Sequence, residues 1–239
     1  MITNSKPTTP PSRQGPVIRC LPLADFDETS LDAVRAAFAA ATPCALGQAW
    51  RAELESGFAP AEVRTGWRRD SLLVFAELTD HDIFTRATML NQRMWELGDT
   101  FEMFLQPSGS PGYVELHVTP NNQHLQLRFA DASSVQSARK SGSIENLLIA
   151  GVAFKSRTWV QPENRKWFVL AQIPMALVGG PGQPAEGGQW RFSFSRYDHT
   201  RNGGEPMISS TSPHPVEDFH SQQEWGELTF TTSLTTREG

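Results

Sequence analysis

Trp67-Arg-Arg-Asp-Ser-Leu-Leu-Val-Phe-Ala-Glu-Leu-Thr-Asp80 is the stretch that decides the fold class. Leu72, Val74, Ala76 and Leu78 alternate with Leu73, Phe75 and Glu77, the period of two that belongs to a strand. Just upstream, Val63, Thr65 and Trp67 share one side of another strand, and Arg68-Arg69-Asp70-Ser71 turns between the two. The pair reads as a hairpin.

The same period recurs downstream. Phe101, Met103 and Leu105 alternate with Glu102 and Phe104 before Pro107-Ser-Gly-Ser-Pro-Gly112, and Val114, Leu116 and Val118 alternate with Glu115 and His117 before Pro120-Asn-Asn122. Leu125, Leu127 and Phe129 continue the meander. Further strands are expected over 144–154, 158–161, 167–173, 189–197 and 224–232, with long Gly-rich loops at 179–188 and 199–215 of the kind that carry function or mobility. Upstream, Ser30 precedes an apolar stripe of Leu31, Val34, Ala37 and Phe38 at helical spacing, which predicts one short capped helix ending before Pro43 and packing on a sheet edge. Many short strands without helical crossovers predict an all-β chain: a two-sheet antiparallel β-sandwich, jelly-roll-like, with one short N-terminal helix.

Composition agrees. Seven Trp and fourteen Phe supply bulky apolar mass, while 18 Gly and 17 Pro supply turns, a balance suited to short strands. Residues 1–16 hold almost no apolar side chains and cannot offset the entropy of ordering, so they read as a flexible tail before a single domain over 17–239. No internal repeat interrupts that domain. A net charge of −5 gives no clustered basic surface for nucleic acid. No apolar stretch approaches the roughly 20 residues of a membrane span. The N-terminus lacks the apolar core of a secretory signal, which predicts a cytoplasmic chain as written, or an extracytoplasmic one if that end was processed. Cys20 and Cys44 are too few for a zinc ligand set and read as one disulfide or two buried thiols.

Four segments, in order, resemble the family 9 carbohydrate-binding module. They are the 67–80 hairpin; Trp95-Glu-Leu-Gly-Asp-Thr-Phe-Glu-Met-Phe-Leu105; Trp167-Phe-Val-Leu-Ala-Gln-Ile-Pro174; and Trp190-Arg-Phe-Ser-Phe-Ser-Arg196 followed by Phe219-His220 and Trp225-Gly-Glu-Leu228. The likeness runs from about Ala45 to Phe230, and the order of the segments carries it more than any single motif. Ser193 stands where that family commonly has Asn, and Leu170 where it commonly has Glu. The resemblance implies non-catalytic binding of a mono- or oligosaccharide.

Sugar recognition needs a flat apolar platform for a pyranose face and polar groups for its hydroxyls. The residues aligned with the family's two aromatic platforms are Trp95 and, with a change of ring type, Phe219; the alternative for both is packing in the core or at an edge. Glu102 aligns with an acid that accepts sugar hydroxyls, or else is a strand carboxylate paired with an Arg. Arg196 either donates to ring hydroxyls or pairs with Glu102, and His220 either touches the ligand or caps a loop. Asp80 and Asp82 resemble an acidic loop that holds calcium in such sandwiches, or are solvated turn acids. No cofactor is required by the resemblance, and calcium is the one ion it suggests.

Other classes rest on less. A glycosidase would need two of Glu102, Glu96 and Asp99 across a cleft, roughly 5 to 10 Å apart. No Gly-x-Ser-x-Gly elbow, phosphate loop or paired-His zinc motif occurs. A haem-binding sandwich would draw on Met89, Met94, Met103 and His117, and a purely structural or protein-interaction sandwich would need none of these residues.

Overall fold

The computed structural model describes residues 14–180 and 182–232. Of the segment read as a tail, 1–13 lie outside the described residues, as do 233–239 at the other end. Pro16 is already tied in, its carbonyl accepting from the Glu227 N–H at 2.8 Å.

The hairpin is present. β3 (Ala61–Arg68) and β4 (Ser71–Thr79) pair antiparallel along their whole length, from Arg68↔Ser71 to Ala61↔Leu78. Arg69, in the two-residue turn, has φ +57°, the left-handed value that matches the twist of such tight hairpins. β9 (Lys166–Pro174) adds to β4, β8 (Lys155–Gln161) adds to β9, and the two-residue β2 (Cys44–Ala45) flanks β3.

The other half is built from β5 (Thr100–Pro107), β6 (Tyr113–Val118), β7 (His124–Phe129), β10 (Gln189–Asp198), β11 (Met207–Ser210) and β12 (Gly226–Phe230). Its order is β7-β6-β5-β10-β12, with β11 also pairing β10. β1 (Val17–Pro22) joins the halves. Val17 to Cys20 pair with β12, then Leu21 and Pro22 pair with β3, both in parallel. The chain is therefore mostly β, as the periodicity predicts, but its twelve described strands form one curled mixed sheet rather than two wholly antiparallel ones.

Alternation sorts the side chains into layers. Leu72, Val74, Ala76 and Leu78 of β4 join Phe101, Met103 and Leu105 of β5, and Phe192 and Phe194 of β10, in the main core between the halves. The other face of β4 and β9 presents Leu73, Phe75, Phe168 and Leu170, and α1 (Leu31–Ala37) covers it with Leu31 and Val34, followed by Phe38. The helix thus packs on a sheet face, not on an edge. It starts where the sequence predicts, with the Ser30 hydroxyl accepting from the Ala33 N–H, a cap worth about 1 kcal/mol.

Four elements differ from the sequence reading. α2 (Ala132–Ser141) and the one-turn α3 (Met175–Val178) add to the single expected helix. The strand expected over 144–154 is a 3-10 turn (Glu145–Leu147) and irregular chain, touching the sheet through a lone Leu127↔Leu148 bridge. β11 lies inside the expected 199–215 loop. Cys20 and Cys44 are two buried free thiols; burial pushes the Cys44 thiol up to about 11, and that of Cys20 higher. No helix among the described residues is long and apolar enough to cross a membrane.

Candidate functional site

The outer face of the β5–β6–β10 half carries the site. Residues of β5 that alternate with the core positions point the other way: Glu102 and Phe104 from β5, Tyr113, Glu115 and His117 from β6, Tyr197 from β10. Cross-strand register sets Glu102 directly opposite His117 and Phe104 opposite Glu115. Most sheet faces with this many polar groups meet water. Here α2, the turn at Met94–Glu96 and the segment around 217–220 rise over the face and border a half-open cavity of about 370 Å³. That volume lies within the usual range of small-molecule pockets.

Trp95, Glu102, Phe219 and His220 all line this one cavity. Trp95 is half-buried, presented by the 3-10 turn, and its backbone carbonyl accepts from His199 Nε2 at 2.9 Å. Its indole meets the His117 ring edge-on at 5.6 Å between centroids, with the Arg93 guanidinium 5.8 Å from its centre. Phe219 is buried, 6% exposed, among Trp50, Phe104, Tyr197 and His214. It is a wall of the cavity that also holds the surrounding rings together.

Below Trp95 lies a charged floor. His117 Nε2 is 2.6 Å from Glu115 Oε1 and 3.3 Å from Glu102 Oε1, and all three residues are buried. Burial raises Glu102 to about 8, with His117 opposing and Glu115 reinforcing that rise. Burial also works to raise Glu115, but the His117 hydrogen bond and the nearby His220 outweigh it and hold Glu115 below the ordinary carboxylate value. For His117 burial pulls down, while Glu102 and then Glu115 pull up and prevail. The two carboxylates are thus pushed in opposite directions around a shared imidazole. His220 stands beside them, its Nδ1 2.7 Å from the Tyr113 hydroxyl and its Nε2 3.7 Å from Glu115 Oε2.

Arg196 is elsewhere. In register it lies opposite Phe101, on the core-facing side of β10, so it cannot share a face with Glu102. Its guanidinium pairs with Asp198 at 2.7 Å and Asp80 at 3.2 Å, fully buried. Asp99 completes that group, accepting from the Phe84 and His199 N–H groups at 2.6 and 2.9 Å. Burial first, and Asp80 second, push Asp99 up to about 8 despite those bonds.

The calcium reading meets this geometry directly. Asp80, Asp99 and Asp198 bring carboxylate oxygens within 4.8 Å of one another. The positive charge among them is already supplied by Arg196, and a calcium ion wants six to eight oxygens. Asp82 does not join the group; it binds Arg201 through side chain and backbone. These residues do not fit calcium as they stand.

The other candidates separate too. Glu96 is exposed and paired with Arg93, and Asp99 is in the Arg196 group, so neither faces Glu102 across a cleft. Met89 is exposed, Met103 is in the main core on the opposite side of β5 from His117, and His117 is engaged by two carboxylates. Those positions do not bracket a haem. Glu115 and Tyr197 are among the lining residues that sequence reading omits; Glu115 follows on the next strand of the meander, whereas Tyr197 depends on the β5–β10 register, which no local pattern supplies.

Comparison with known proteins follows the same line. The sequence matches a family model described as carbohydrate family 9 binding domain-like over residues 32–233. Among solved structures, a candidate carbohydrate-binding protein from Bacteroides uniformis superposes with a TM-score of 0.67 at 15% identity, covering 91% of this chain and 100% of that one. A family 9 carbohydrate-binding module from Caldicellulosiruptor kristjanssonii, in complex with cellotriose, gives 0.59 at 14% identity, covering 90% and 94%. Its complex with glucose gives 0.60 at 14%, covering 93% and 99%. A search of curated proteins returns no match. These structural likenesses speak for the fold. Because the family model spans well over half of the sequence, with every segment that shapes the cavity inside it, the chain belongs to the carbohydrate family 9 binding domain-like family.

Proposed function

We propose that this domain binds a mono- or oligosaccharide without transforming it, in the cavity on the outer face of β5, β6 and β10. The reading treats the curled sheet as a sandwich of two faces, with the ligand on the outside of one. The observation that carries it is the convergence of Trp95, Glu102, Phe219 and His220 on one half-open cavity, from segments 124 residues apart in sequence. Family membership supports the same ligand class, and the similar Caldicellulosiruptor kristjanssonii module binds glucose and cellotriose.

Each group has a part that its chemistry suits. Trp95, the least buried ring of the cavity's aromatic pair, offers an indole face to the C–H side of a pyranose. Glu115, ionised, accepts hydroxyl protons, and Glu102, protonated near neutral pH, can both donate and accept. Phe219 closes the wall and keeps out water. Arg196 and its aspartates brace β10 from the opposite side and take no part in the contact. Calcium has no place in this reading, because Asp80 is already paired with Arg196 and Asp82 with Arg201.

Calorimetric titration with glucose and cellotriose tests it. The unaltered chain should bind at least one of them, and Trp95→Ala should weaken that binding roughly 5- to 30-fold while leaving the melting temperature nearly unchanged. Equal weak heats from both proteins would sink the site.

A further inference from the structure

The floor of the cavity has a donor arrangement that hydroxyl binding alone does not require. Two carboxylates and an imidazole place one ligand atom each within 4.8 Å of one another: Glu102, Glu115 and His117. All three residues are buried; Glu102 and His117 face each other across two paired strands and Glu115 lies two residues from His117 on the same face of β6, so the sheet itself fixes their spacing. Glu115 Oε2 is buried and makes no hydrogen bond, which leaves a carboxylate oxygen with unused acceptor capacity at the edge of the cavity. A second imidazole, His220, has its Nε2 3.7 Å from that oxygen. A buried carboxylate oxygen without a hydrogen-bond donor is free to take a cation as its partner.

We infer that Glu102, Glu115 and His117 form a binding site for a divalent first-row metal ion such as zinc, and that His220, whose Nε2 now reaches only Glu115, completes the shell by a side-chain shift. The donor set selects the metal. Mixed imidazole and carboxylate ligation suits zinc and its neighbours, whereas calcium and magnesium want an all-oxygen shell. The spacing suits it as well. Donors about 2 Å from a tetrahedral zinc lie roughly 3.3 Å apart. His117 Nε2 and Glu102 Oε1 are 3.3 Å apart, and the 2.6 Å from Nε2 to Glu115 Oε1 is the contraction of a pair held by a proton. Zinc takes that proton's place. The Tyr113 hydroxyl can accept from His220 Nδ1 as well as donate to it, so His220 can turn a lone pair at Nε2 toward the ion. His117 Nδ1 has no hydrogen-bond partner, which sets the expected affinity below that of a closed structural zinc site.

The inference concerns the same cavity as the sugar reading but stands apart from it. The test uses the full chain stripped with chelator. Zinc titrated calorimetrically should bind with a stoichiometry of one, and cobalt(II) should give the intense visible bands of a four- or five-coordinate ion. Glu115→Gln and His117→Gln should each weaken zinc on the order of 100-fold or more, since loss of even an outer partner costs roughly 10- to 100-fold. Because His117 is fully buried, its variant is read beside Glu102→Gln, which keeps shape and removes one donor. A pale octahedral cobalt spectrum from the unaltered chain, or zinc binding unchanged in Glu115→Gln and Glu102→Gln, would overturn the site. Glucose titrated into the chelator-treated chain reports separately on sugar binding, so either reading can fail without the other.

Discussion

Arg139 on α2 holds Asp218 with both terminal nitrogens, Nη2 to Oδ1 at 2.8 Å and Nη1 to Oδ2 at 3.2 Å. Both residues line the cavity, so this fork ties the helix that roofs it to the segment that brings in Phe219 and His220. The Arg139 side chain is 57% exposed, and an exposed pair contributes about 1 kcal/mol or less to stability. Arg139→Ala should therefore melt within a few degrees of the unaltered chain yet bind sugar more weakly. Calorimetry and thermal melting on the same sample check it; equal sugar affinity would mean the tie does not shape the site.

Trp95 and Phe219 should behave differently when truncated. Trp95→Ala removes a half-buried ring and should cost on the order of 1 to 2 kcal/mol of binding with little change in folding. Phe219→Ala opens a void among packed rings and should cost about 3 to 5 kcal/mol of stability. Denaturant unfolding of the two variants tells them apart, and the contrast fails if both lose stability equally.

Removing Arg196 strands two buried carboxylates. Arg196→Met should destabilise the fold by about 3 to 5 kcal/mol, because Asp80 and Asp198 lose their common counter-charge. Arg196→Met combined with Asp80→Asn and Asp198→Asn should recover much of that loss. Urea unfolding midpoints decide it, and a mild single variant would show that the group carries no net charge to balance.

Stability should fall in mild acid through His124. Its ring stacks on Phe154 at 4.4 Å and meets Ser156 Oγ at 2.5 Å, and burial lowers it to about 4 from the ordinary 6.5. Above pH 6.5 folded and unfolded chains both carry it neutral, so it adds no pH dependence there. As pH falls from 6.5 to 4 the unfolded chain takes the proton first, and stability drops by up to about 3 kcal/mol at 1.36 kcal/mol per pH unit. His124→Gln should flatten that stretch of the profile. Melting temperatures across the range are the measurement, and a slope unchanged by the substitution would assign it to other groups.

The hairpin was readable because its face pattern and its turn agree, and α1 because a cap precedes a clean apolar stripe. α2 offers no such stripe: Val135 is its one buried residue. Its signals are at the ends, where Asp131 caps Ser133 and Ser134, Arg139 and Lys140 occupy the last turn, and Gly142 stops it at φ +69°. The segment 144–154 misled for the opposite reason. Ile144 and Leu147 are apolar because they line the cavity in one cluster with Val135 of α2, and Leu148 meets the sheet only through its bridge to Leu127. Trp95, Glu102 and Phe219 were reachable through the family pattern, and parity alone would have added Glu115. Arg196 was misplaced because parity across two strands depends on register, which turn lengths alone did not supply. That the polar face of β5 and β6 is roofed rather than wet depends on contacts between distant segments, and no local pattern reports those.

β1 lies between β12 and β3 and runs parallel to both, so the opening strand is locked by residues more than 200 positions later. Contacts of such long separation slow folding. During synthesis, Ile18 and Cys20 have no ladder partner on the β12 side until residues 226–230 have left the ribosome. Pulse-labelled hydrogen exchange during refolding should find the amides of β1 and β12 protected together and late, well after those of the 61–79 hairpin.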